Sequence, residues 1–392
     1  MTTKAAPCCQ PKRARMWACA AATVLGMLAP ACQCGSRASA EPLHATPAAR
    51  TPCLPATLAA AARPLTAANR TRYAVATAAG RRWLDALRVD PFELRQKGIK
   101  GKKKLVEQLD AYYTLWQVAH GQERMAIEKR IREVVAATYE DRYHDMLTTS
   151  DLWFKQDATS YLRGALVMQR LGLDTARYRE EIGKIQGRLN GHMAERGVFQ
   201  QQVFHWYYRE FGLQEPFALG SALGHGLIAH RADVASLSSD DAYDLTHEIF
   251  GAYEYGDRLD LNPFSEEDRR YLRGALDALV ARYMASRDPD LVAELVACQR
   301  YLRFVDAPSY NEGLSFLLAN QNSDGSWGHY DEQRKRLGDY VRQGFELHTT
   351  TVVLRALVVA LHEPWNQACS VADLSSTGPT RNTSPHYAAV AP

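Results

Sequence analysis

The sequence predicts an all-α protein of stacked helical hairpins, a single domain over residues 65–363. Three observations carry that expectation. Apolar residues recur at helical spacing in segment after segment, hydroxyl or acidic residues open those segments, and no run alternates apolar and polar residues as a half-buried strand does. With 46 % apolar residues in 392, a sizeable core is available. The net charge of +3 is small for this length, so no nucleic-acid partner is expected.

The first element is a targeting segment. Lys4, Lys12, Arg13 and Arg15 precede the apolar stretch Met16–Cys32, and Ala38-Ser39-Ala40 offers a cleavage site, so residues 1–40 read as an export signal. Leu28 to Cys32, "LAPAC", resembles a bacterial lipobox with Cys32 as the lipidated residue, although Ala29 stands where a leucine is usual. Cleavage near Ala40 and lipid anchoring at Cys32 stay open as alternatives, and both place the protein in the periplasm or cell envelope. Residues 41–64 form an Ala/Pro-rich linker, and 364–392 a Ser/Thr/Pro-rich tail expected to be disordered. Five of the eight cysteines lie in or beside the export segment, and Cys53, Cys298 and Cys369 at wide spacings make no disulfide framework.

Between linker and tail the helices follow one another. "LVEQLDAYYTLWQVA" places Leu105, Leu109, Tyr112, Tyr113 and Trp116 on one face. "SEEDRRYLRGALDALVARYM" opens on Ser265 as N-cap with acids in its first turn. "DPDLVAELVACQRYLRF" and "APSYNEGLSFLLANQ" continue after short connections. "YLRGAL" occurs at Tyr161–Leu166 and again at Tyr271–Leu276, as in a chain built of hairpins that stack to bury faces they cannot bury alone.

Gln321, Asp324, Gly325 and Trp327 in "QNSDGSWG" resemble the QW motif, Q-x-x-D-G-x-W, of the terpene cyclase and protein prenyltransferase superfamily. Asp-Gly makes a tight turn with positive φ, and the tryptophan packs between hairpins. The resemblance implies an α/α toroid. Downstream, His348 and Thr349 in "ELHTTTVVLRAL" are similar to the Tyr-His-Thr segment of prenyltransferase β-chains, with Leu347 in place of the tyrosine. There the histidine is a zinc ligand at the mouth of a central cavity, which makes His348 a candidate ligand. The upstream Asp-x-Cys pair of those enzymes is absent, and Cys298 in "ELVACQRYL" reads as a small core residue.

Another cluster is a candidate for the missing ligands. In "YDLTHEIFGAYEYGDR" helical spacing puts Tyr243, Asp244, His247, Gly251 and Glu254 on one face, with Glu248 pointing elsewhere. A histidine flanked by carboxylates can bind a divalent metal, with Asp244 or Glu254 as ligand, orienting group or catalytic carboxylate. The structural alternative is an Asp244–His247 pair that braces the helix. His225, in a glycine-rich stretch, would complete a metal site with His247 and His348, and zinc, iron or copper would suit it. His205 among aromatics reads as separately satisfied, and His329 is near enough in sequence to reach the same rim.

"SSDDAYD" (Asp240, Asp241, Asp244) matches the D-D-x-x-D diphosphate motif, yet it follows Ser238-Ser239 at a helix start, where acids favour the macrodipole. The second metal motif of that class and the D-x-D-D acid motif of squalene-type cyclases are missing. "KGIKGKKK" (Lys97–Lys104) reads as a solvated loop before a helix, with an anionic surface as the alternative. The function expected is a metal-dependent enzyme acting on a small or lipid-like substrate in a central cavity. The alternative is a non-catalytic toroid holding an apolar ligand or protein partner.

Overall fold

Side-chain caps open six of the helices. In the computed structural model, which describes residues 66–361 apart from Asp260, Thr66 accepts the Asn69 N–H to open α1 (Ala67–Ala86). Asp90 caps α2 (Pro91–Gln96), whose first residue is proline, and α3 spans Gly101–Val118. After α4 (Gly121–Val135), Ser150 caps α5 (Asp151–Arg170). The shorter α6 (Ala176–Lys184) and α7 (Gln186–Ala194) lead to α8 (Val198–Phe211), which ends on Gly212 at φ +68°. Two short helices, α9 (Leu219–Leu223) and α10 (Leu227–His230), precede α11 (Ser239–Ala252). Reciprocal capping boxes, Ser238 with Asp241 and Ser265 with Asp268, start α11 and α12 (Glu266–Ala285). Asp288 then caps α13 (Pro289–Tyr301), followed by α14 (Pro308–Ala319) and α15 (Asp331–Leu337). A π-helical turn, Arg342–Glu346, runs into α16 (Leu347–Leu361). There is no strand among the described residues, so the chain is all-α there. The export segment, Cys32, the linker up to 64 and the tail from 364 lie outside the described residues.

Six helices pack in a closed order. α3 lies on α5, α5 on α8, α8 on α11, α11 on α13, α13 on α16, and α16 returns to α3. α4 packs on α3, α12 on α13, and α14 on α13 and α12, while α1 packs on α16 and α14. All thirteen residues of α13 are buried, as a helix enclosed on every side requires. Arg342–Leu361 is long and apolar enough to cross a membrane, but most of it is buried against α3, α13 and α1. The two "YLRGAL" segments are not equivalent: the first sits in α5, within the closed order, and the second in α12, outside it. Their shared letters report a helix with one apolar face, not a structural repeat.

The turn after α14 shows why Asp-Gly and Trp stand together. The Asp324 carboxylate accepts the Ser326 N–H at 3.0 Å, and Gly325 has φ +96°. A Cβ there would stand 2.5 Å from the Ala79 carbonyl oxygen, so only glycine lets this turn approach α1. Gln321 donates from Nε2 to the carbonyls of Ala76 and Gly325, both at 3.0 Å. Trp327 is fully buried, its indole N–H donating to Leu317 O at 2.8 Å and its amide to Thr350 Oγ1 at 3.1 Å. Its ring lies against Gly80, so one side chain joins α1, α14 and α16. Burying an indole contributes roughly 4–6 kcal/mol of transfer free energy.

Candidate functional site: a buried carboxylate–imidazole cluster

The second residue of α16 is His348, delivered by the π-helical turn. Its Nδ1 lies 3.0 Å from Glu107 Oε1 on α3. Its Nε2 lies 3.6 Å from Asp290 Oδ2 and 4.0 Å from Glu294 Oε1, one turn apart on α13. Three carboxylates from two helices therefore surround one imidazole. Burial alone would pull the His348 pKa down, but Asp290 and Glu107 outweigh it and raise it above the ordinary value.

The acids are themselves held. Lys104 Nζ donates to Glu107 Oε2 at 2.7 Å, and Lys103 lies 3.5 Å from Oε1. Burial works against the Glu107 anion, yet Lys104, Lys103 and His348 keep its pKa well below the usual carboxylate range. Asp290 Oδ2 accepts the Tyr243 hydroxyl from α11, and its Oδ1 is buried without a partner. Glu294 Oε2 accepts the Thr246 hydroxyl at 2.6 Å and lies 3.6 Å from His247 Nδ1. His247 Nδ1 is also 2.8 Å from the Tyr243 carbonyl, which can only accept. That contact fixes the proton of neutral His247 on Nδ1 and leaves Nε2 with its lone pair free. Phe199, Phe250 and Tyr255 stand around the His247 ring at centroid distances of 5.0, 5.8 and 6.3 Å.

Asp290 lies in the first turn of α13, where the positive end of the macrodipole favours a carboxylate. The His348 and His247 side chains keep 28 % and 24 % of their surface exposed, whereas Glu294 keeps 2 %. The imidazoles are thus the groups a ligand would meet first.

Two of the expected ligands, His247 and His348, meet at opposite oxygens of Glu294, while His225 is exposed in the turn between α9 and α10 rather than within a helix. Among the described residues no group of three or more His, Cys, Asp or Glu side chains is disposed to hold a metal ion. The single helical face expected from Tyr243 to Glu254 breaks at Ala252. Glu254 follows in a left-handed conformation at φ +51° and pairs with Arg209 on α8, with burial raising its pKa. Asp244 is half-buried, and burial raises its carboxyl too. Glu248 does point elsewhere, accepting the amides of Leu227 and Ile228 at 2.8 and 3.2 Å. His205 is buried 2.9 Å from Glu215, and Cys298 is a buried thiol. Asp241 of the D-D-x-x-D match serves its capping box. The basic run is only partly a solvated loop: Lys102 and Lys104 are buried against Asp145 and Glu107.

Sequence reasoning missed Glu107, Asp290 and Glu294. The signal was there in "PDLVAELVAC", an acid pair one turn apart on an otherwise apolar helix, where charge has no reason to stand unless it faces other charge.

Residues 77–358 match the model of a family described as a domain of unknown function, DUF6895. The chain belongs to this family. No curated protein matches it, and neither does any solved structure.

Proposed function

We propose that this member of the family is a proton-transfer enzyme, with His348 as general acid and His247 as general base on either side of Glu294. The observation that carries the reading is the opposite setting of two imidazoles on one carboxylate. His348 is surrounded by Glu107, Asp290 and Glu294, the first two of which favour its protonated form, and His247 has its Nδ1 proton committed to a backbone carbonyl. An imidazole held protonated by carboxylates, set across one carboxylate from an imidazole nitrogen with an uncommitted lone pair, supplies both partners of an acid–base pair. Nε2 of His247 takes a proton from a substrate carbon or hydroxyl, and His348 returns one elsewhere on the same molecule. The overall change is an isomerisation or the loss of water, with no net oxidation. Glu294 orients both rings, and Tyr243 and Thr246 orient the carboxylates.

In the same reading, the closed order of six helices is the inner layer of an α/α toroid, and the cluster lies at one mouth of its centre. The substrate is a small or lipid-like molecule whose apolar part meets Phe199 and Tyr255.

The test is deuterium wash-in. Purified protein in D2O, given mixtures of small carbonyl and hydroxy compounds, should incorporate deuterium into at least one, read by mass spectrometry. His247→Ala and His348→Ala should each abolish it. No incorporation across the mixtures, together with His348 neutral at pH 7 by NMR, would remove the reading in favour of a ligand-holding toroid. A stoichiometric transition metal in the purified protein, lost on His348→Ala, would replace it with metal-dependent chemistry.

A further inference from the structure

We propose that the protein binds a small organic acid at the far end of the helices that carry His348, with the carboxylate held by Arg355. Three helices place this second site. α3, α13 and α16 bring Glu107, Asp290 and His348 together at the cluster. Further along the same helices, Thr114, Tyr301 and Arg355 line one cleft, with Tyr255 and Gly256 from the turn after α11. The three helices therefore run in one direction. On α16 the cleft lies seven residues past His348, about 10 Å along the axis.

Arg355 is the one charged residue lining this cleft. Its guanidinium is partly buried, and among the described residues it has no hydrogen-bond or ion-pair partner. The buried cations Lys102, Lys104 and Arg163 each face a carboxylate instead, on Asp145, Glu107 and Asp110. Asp257, next to Gly256, lies 3.8 Å from Arg170. An arginine stays charged at any ordinary pH, so a partly buried one without a counter-ion calls for an anion. Thr351, one turn before Arg355 on the same face of α16, also has a buried hydroxyl without a partner.

Size then selects the anion. The cleft holds about 20 Å³, room for a group little larger than a water molecule. A carboxylate is flat and matches the guanidinium fork, and the Thr114 hydroxyl can donate to it as well. A tetrahedral phosphate is bulkier. Gln117 at the rim is exposed, so the rest of the acid extends towards solvent. Tyr255 is a wall of the cleft and also stands 6.3 Å from the His247 ring. The two sites thus share one side chain.

The experiment is a thermal-shift titration of the full chain with sodium acetate, against sodium chloride at matched ionic strength. Acetate should raise the Tm saturably, and Arg355→Gln should weaken its apparent affinity by about tenfold or more. Arg355→Lys, which keeps the charge and loses the fork, should retain part of the affinity. Equal shifts with acetate and chloride, or an acetate shift unchanged in Arg355→Gln, overturn the proposal. So does a phosphate shift larger than that of acetate and lost in Arg355→Gln, which assigns the cleft to phosphate. No acetate shift at all assigns Arg355 to the C-terminal ends of α3 and α13 and likewise overturns it. If Arg355→Gln is unfolded by circular dichroism, Arg355→Lys decides, and full acetate affinity there removes the guanidinium from the site. Binding is read without turnover, so a failure of deuterium wash-in leaves this site standing.

Discussion

Replacing Glu107 by Gln tests the electrostatics of the cluster most directly. Glutamine keeps the shape and still accepts from His348 Nδ1, so packing is nearly constant while one charge disappears. Lys104 is then a buried cation whose carboxylate, 2.7 Å away in the native protein, is gone. At an effective dielectric of 20 that contact is worth about 6 kcal/mol before desolvation is counted. Breaking one side of a buried pair typically costs about 3–5 kcal/mol, because the remaining charge stays buried. We therefore expect Glu107→Gln to lower unfolding stability by about 3–5 kcal/mol, read as a shift of the urea midpoint at unchanged slope. Adding Lys104→Met removes the stranded cation and should recover most of the loss. In the same protein the His348 pKa should fall, since one of the two carboxylates that raise it has gone. A Glu107→Gln loss below about 1 kcal/mol, or no recovery with Lys104→Met, would refute the view that these charges are buried and mutually dependent.

The other expectations concern pH, the turn and the pair. The His348 pKa is raised on folding, so its contribution to stability is fully present below the ordinary histidine value and is lost as pH rises through the folded value; unfolding free energy should decline across that window and should do so less in His348→Gln. Trp327→Phe should destabilise by about 1–3 kcal/mol, measured by urea unfolding, because the Leu317 carbonyl loses its buried donor. Gly325→Ala should cost roughly 1 kcal/mol or more by the same measurement, since the positive φ and the Ala79 carbonyl both oppose a Cβ. Glu294→Gln should lower deuterium wash-in by about 10²–10⁴-fold while leaving secondary structure by circular dichroism unchanged.

The helical segments were legible because caps and periodicity are local properties. Ser265 opens α12 as its spacing with the acids of the first turn implied, and the Asp324-Gly325-Trp327 turn packs as its residue types require. The order in which helices meet was not legible, because it depends on which faces contact which, and no single face carries that information. The repeated "YLRGAL" misled for this reason: the same apolar period serves a helix enclosed by neighbours and one lying outside them.

The site divides along the same line. His348 could be picked out by its resemblance to the His-Thr of prenyltransferase β-chains, and His247 by the carboxylates at helical spacing around it. Their partners could not be, because Glu107 lies 241 residues before His348 in the chain. An acid behind three lysines in "KKKLVEQLDAYY" reads as solvent-facing until burial is known. Burial reverses the inference. On an enclosed helix such as α13, a carboxylate is tolerable only opposite a cation or a donor, so Asp290 and Glu294 require partners on neighbouring helices. Tyr243, Thr246 and His247 of α11 and His348 of α16 supply them. The charge pattern of α13 thereby constrains which helices lie beside it, and the same contacts that satisfy its acids bring two imidazoles to one carboxylate.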